Sequence, residues 1–125
     1  MCEVYLKEWI RKAEEDYEVA IVLVRKRKSP TPNAVCFHCQ QCCEKYLKAY
    51  LVKMQIPFPN THDLIRLNTL CLSADGAFAL ISDLLDRLNP YSVEFRYPGE
   101  SATLDEAKVT LKAMKKVRQF IRTKL

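Results

Sequence analysis

Glycine is almost missing from this chain: Gly76 and Gly99 are the only two in 125 residues, and both stand in turn-forming pairs, Asp75-Gly76 and Pro98-Gly99. With so few flexible breaks, long uninterrupted helices are expected, with prolines supplying most of the stops. Apolar residues make up 49% and charged residues 28%, an ordinary balance for a globular fold and too hydrophobic for a disordered one. One compact core suits this length, so residues 1–125 read as a single domain.

Apolar spacing resolves five helices. The first, about residues 3 to 27, places Leu6, Trp9, Ile10, Ala13, Tyr17, Ala20, Ile21 and Val24 on one face. The run Arg25-Lys26-Arg27-Lys28 then forms a basic last turn suited to the negative end of the helix dipole, and Ser29-Pro30-Thr31-Pro32 stops it. Asn33 is the expected cap of a second helix, about 34 to 55, which is apolar almost all round and so should be the central spine. Pro57-Phe58-Pro59 ends it, and Thr61 is the expected cap of a short third helix carrying Leu64, Leu67, Leu70 and Cys71. Phe78, Ile81, Leu84, Leu85 and Leu88 mark a fourth helix up to Asn89-Pro90, and residues 91–102 read as a loop held by aromatic rings. Thr103-Leu104-Asp105-Glu106 has the form of a capping box and opens a fifth helix with a stripe of Leu104, Ala107, Leu111, Met114, Val117, Ile121 and Leu125. The expected fold is all-α, an antiparallel up-and-down bundle of about five helices.

Several function classes fall away. The longest apolar run, residues 19 to 24, is far short of the roughly 20 residues needed to cross a bilayer, so no membrane span is expected. Four of six cysteines, Cys36, Cys39, Cys42 and Cys43, crowd one helical stretch, where neighbours cannot easily meet disulfide geometry. They read as reduced, buried apolar groups of a cytoplasmic protein. Cys36-x-x-Cys39-x-x-Cys42 imitates the opening of an iron–sulfur signature, but Tyr46 stands where the fourth ligand belongs and the register is helical. Glycine-rich phosphate loops, nucleophile elbows and zinc-protease motifs are absent, and no cofactor or metal is expected. The formal charge of +5 permits a polyanionic partner or simply solvated helix surfaces.

Polar side chains at apolar positions are more informative, because burying them costs free energy unless they are paired or used. Asp16 falls beside the core stripe of the first helix. On the spine His38, Gln41, Lys45 and Lys48 form one row at spacings of three, four and three, with Glu44 on its border. That row can receive a phosphate or a partner's carboxylate, or form an internal network with Asp16 and Glu44. His62, in Thr61-His62-Asp63, has a carboxylate neighbour that can fix its tautomer, making it a general base or a loop-bonding histidine. Arg96, between Phe95 and Tyr97, is placed to bind phosphate or to clamp the loop onto Asp16.

These residues are also where the chain resembles the HEPN family (higher eukaryotes and prokaryotes nucleotide-binding), across nearly its whole length. The resemblance rests on Trp9, Ala13, Asp16 and Ala20; on Phe37-His38-x-x-Gln41-x-x-Glu44-Lys45-x-x-Lys48-Ala49; on Thr61-His62-Asp63-Leu64; and on Arg96-Tyr97-Pro98. It implies a helical bundle that forms a homodimer and pairs with a minimal nucleotidyltransferase in toxin–antitoxin or defence modules. Asp16, His38, Gln41, Lys45, Lys48, Arg96 and Tyr97 would then shape a groove for that partner, a nucleotide or RNA. Other members are metal-independent ribonucleases with an arginine four to six residues before a histidine. Neither His38 nor His62 has an arginine there, so the ribonuclease alternative rests on His62 and Arg96 meeting in space.

Overall fold

A computed structural model describes residues 2–93 and 98–125. It contains α1 (Cys2–Val24), α2 (Pro32–Lys53), α3 (Leu64–Ala74), α4 (Ser82–Leu88) and α5 (Leu104–Arg122), with 3₁₀ turns at Gly76–Ile81 and Asn89–Tyr91 and no strand among the described residues. The expectations placed on Phe95, Arg96 and Tyr97 lie outside the described residues. The spine reading holds: α2 packs against each of the other four α-helices, most extensively α1 and α5. Its Cys36, Cys39, Cys42, Cys43, Tyr46, Leu47 and Leu51 are fully buried, as a helix apolar on all sides requires.

Where the ends differ from expectation, local chemistry explains it. α1 stops at Val24, three residues early, its last turn tightened by Arg25 and Lys26 amides donating to the carbonyls of Val22 and Leu23. Four consecutive cations repel one another and offer nothing to bury, so they lie beyond the helix instead of forming its last turn. Pro32, with no amide hydrogen to lose, occupies the first position of α2 behind Thr31, so Asn33 is inside the helix and not its cap. Its Oδ1 instead accepts the Ala102 amide at 2.7 Å, tying the approach to α5 back to the start of α2. Asp63, not Thr61, caps α3, accepting the Ile65 and Arg66 amides, while the Thr61 hydroxyl accepts the Asp63 amide. The apolar run around Phe78 and Ile81 is a 3₁₀ turn leading into a shorter α4. Phe78 from this turn packs between Tyr50 (ring centroids 4.5 Å, tilted) and Phe120 (5.1 Å, edge to face). The capping box opens α5 as expected, although Leu104 is exposed and off the core stripe.

One polar clamp closes the bundle. Glu14 of α1 accepts a bidentate pair from Arg118 of α5 at 2.6 and 2.7 Å and a bond from the Tyr46 hydroxyl of α2 at 2.5 Å. Arg122 donates to Tyr46 at 3.0 Å, and Arg118 lies 4.1 Å over the Tyr17 ring. Arg118 holds the Glu14 carboxyl below its ordinary 4.5, and burial together with Glu14 pushes the Tyr46 hydroxyl up to about 12.

A lowered carboxyl pKa contributes stability that is full above the unfolded value and is lost as pH falls through the folded one. Glu14→Gln should therefore lower the melting temperature at neutral pH, and the gap from wild type should close as pH is taken below 4.5, as followed by circular dichroism melts. Burial also raises the thiols of Cys39, Cys42, Cys43 and Cys71 above their ordinary value. In a Cys2→Ser background, Ellman's reagent should react with the five buried thiols only after denaturant is added; rapid labelling of the folded protein would contradict this packing.

Candidate functional site

Small residues set the geometry of the site. Ala13 and Ala20 of α1 are fully buried, which lets α1 approach α2 closely enough for the short Asp16 side chain between them to reach across. Asp16, 7% exposed, binds His38 Nδ1 through Oδ1 at 2.8 Å and Lys45 Nζ through Oδ2 at 2.5 Å. A carboxylate only accepts, so Nδ1 carries the proton that faces it and the lone pair of a neutral His38 lies on Nε2. Asp16 is thus held by two residues of the spine itself.

Glu44, on the border of the predicted row, is a second centre. Its side chain is 4% exposed, with Oε2 paired to Lys48 at 3.1 Å and Oε1 to His62 Nδ1 at 2.9 Å. Lys48 is as deeply placed as its partner, its ammonium 5.5 Å from the Trp9 ring and 5.9 Å from the Phe58 ring. Those two rings meet edge to face and shield the pair from water. Lys48 is therefore committed to the interior and is not a surface donor. The neighbour that fixes His62 is Glu44 and not Asp63, whose carboxylate caps α3.

Gln40, fully buried, is a further member that the polar row on the spine does not include. Its Nε2 donates to the His62 carbonyl at 2.9 Å, and its Oε1 accepts from Gln41 at 2.7 Å. Gln40 and Glu44, one turn apart, thus hold His62 by backbone and ring, leaving its side chain 65% exposed. The signal was present: an amide and a carboxylate at i and i+4 on a helix apolar almost all round. The row His38, Gln41, Lys45, Lys48 is thus divided between two carboxylates. His38 and Lys45 belong to Asp16, and Gln41, Lys48 and His62 to Glu44.

Among the described residues no three His, Cys, Asp or Glu side chains are grouped to hold a metal ion. The family model described as HEPN domain matches residues 6–124, which includes every residue of both carboxylate centres. The chain belongs to the HEPN domain family. It is 46% identical over 54 residues to the protein named "Putative toxin MJ1304" of Methanocaldococcus jannaschii, a match spanning 43% of this chain and 34% of that protein. This HEPN chain also shares its fold with ST0689, described as an archaeal HEPN homologue, at a TM-score of 0.68 and 19% identity, over 94% of this chain and 95% of the other. No helix among the described residues is long and apolar enough to cross a membrane.

Removing one partner of a buried ion pair leaves the other charge unpaired, at a cost on the order of 3 kcal/mol. Glu44→Gln should show a loss of that size in urea unfolding, and Glu44→Gln with Lys48→Met should recover most of it. Equal losses in the single and double variants would show that Lys48 does not depend on Glu44.

Proposed function

We propose that this chain is the toxin-like HEPN component of a two-part toxin–antitoxin or defence module, and that it acts by binding a minimal nucleotidyltransferase subunit or a nucleotide. The observation that carries this reading is the Asp16 seam. His38 and Lys45 are held in place by one carboxylate yet keep 23% and 22% of their side chains in solvent, beside Gln41. Lys45 has two further N–H donors, His38 its Nε2 and Gln41 its carbonyl oxygen. Groups fixed before a ligand arrives lose little freedom on binding it, which favours recognition of a phosphate or a polar protein surface. The toxin name of the Methanocaldococcus relative supports the module. The apolar faces of α2 and α5 are largely buried within the chain, whereas Val4, Tyr5, Val19 and Val22 share the outward side of α1 and supply a surface for the homodimer.

Calorimetric titration with ATP, GTP, CTP and UTP, and pull-down with a minimal nucleotidyltransferase from the same source, test the reading. Lys45→Gln should weaken whichever ligand binds by about tenfold, near 1.4 kcal/mol. Neither nucleotide nor subunit binding by the wild-type protein would sink it.

A second reading is favoured by His62. With Nδ1 on a buried carboxylate and the ring in solvent, its Nε2 has the posture of an oriented general base, as metal-free cleavage by the ribose 2′-hydroxyl requires. Arg96 would be its phosphate clamp. Incubation with RNA in chelator decides between the two: the binding reading expects intact RNA, and cleavage abolished by His62→Ala would establish the ribonuclease.

A further inference from the structure

The C-terminal helix sorts its cations into two groups. From residue 107 onward the chain holds Lys108, Lys112, Lys115, Lys116, Arg118, Arg122 and Lys124, and no Asp or Glu. Arg118 and Arg122 are engaged with Glu14 and Tyr46, and Lys124 with Asp75 at 2.8 Å. Lys108, Lys112, Lys115 and Lys116 are all exposed and make no ion pair among the described residues. Lys108, Lys112 and Lys116 follow one another at i+4, so each repels the next.

Across from them, α4 contributes Arg87, a further exposed cation with no ion pair among the described residues. Between the two helices runs a groove of about 280 Å³ with Asp83, Leu84, Arg87, Val109, Lys112 and Lys116 on its walls. Asp83 is its one carboxylate, against three cations. We propose that this α4–α5 groove and the lysine row beside it bind the sugar–phosphate backbone of single-stranded nucleic acid.

Two features favour that occupant over an acidic protein. Protein interfaces are anchored by buried aromatic or arginine side chains and are depleted in lysine, whereas the apolar part of this lining is Leu84, Val109 and Ala113, with no aromatic ring. A phosphate backbone asks for flexible point charges at regular intervals, and the row supplies one every four residues, about 6 Å of helix rise. Bases need not be read, so the site is indifferent to sequence. None of its residues belongs to the Asp16 or Glu44 centres, so failure at one leaves the other intact.

The test is fluorescence anisotropy of a labelled oligouridylate and the matching oligothymidylate across a potassium chloride series. Both should bind, with affinity falling steeply with salt. Combined Arg87→Gln, Lys112→Gln and Lys116→Gln should weaken binding at least tenfold at low salt. The same variant should reduce the log–log salt slope by roughly two, about 0.7 for each lost phosphate contact. Its melting temperature should match wild type, since all three side chains are exposed. An unchanged slope would overturn the proposal, as would loss of binding on Lys26→Gln and Lys28→Gln instead. Binding to RNA alone would refute backbone readout, and equal competition by polyglutamate would assign the groove to an acidic protein.

Discussion

The buried carboxylate of Glu44 joins three parts of the chain. Its two oxygens tie the interior of α2 to the loop before α3 and, through the ammonium it holds, to the rings of Trp9 on α1 and Phe58 beyond the end of α2. A pair this deep is stable only while all its remaining hydrogen-bond positions are filled and water is kept away. The edge-to-face rings provide the second condition, and the two glutamines help with the first. The placement of His62 follows: it is exposed, but everything that orients it is interior.

The helical order of the molecule was legible because its signals are local. Apolar spacing, scarce glycine and the Thr103–Glu106 capping box each act within one or two turns, and each is found where it was read. The misread ends were also local, but at each one two signals competed. Thr61, Asp63 and Asn33 are all good caps by type, and only the path of the chain decides that Asp63 meets the free amides while Asn33 serves a distant one.

The site was legible in its members but not in its partnerships. Asp16, His38, Gln41, Lys45 and Glu44 stood out as polar residues in apolar places. Which carboxylate takes which cation depends on the approach of α1 to α2, set by Ala13 and Ala20, and one-dimensional spacing does not contain that distance. Glu14 and Arg118 were harder still: 104 residues apart in sequence, each looks like an ordinary solvated charge until α5 folds against α1. The family match covers the same stretch of chain, within which the fold divides the polar residues between Asp16 and Glu44.

The apolar girth of α2 has a consequence for how the chain reaches this state. A helix that must be covered on every side has no stable half-assembled form, since leaving off any neighbour exposes a face of Tyr46, Leu47, Leu51 and the thiols. The α1–α2 hairpin joins neighbours in sequence and can form early, but it leaves the α5 side of α2 bare until α5 arrives. Amides near the middle of α2 should then exchange with solvent only through global unfolding, while those of the short α4 and the Gly76–Ile81 turn open independently. A nascent chain emerging from a ribosome would carry that bare face for as long as α5 remains unmade, which makes the order of synthesis, and not the final stability, the period of greatest exposure to aggregation.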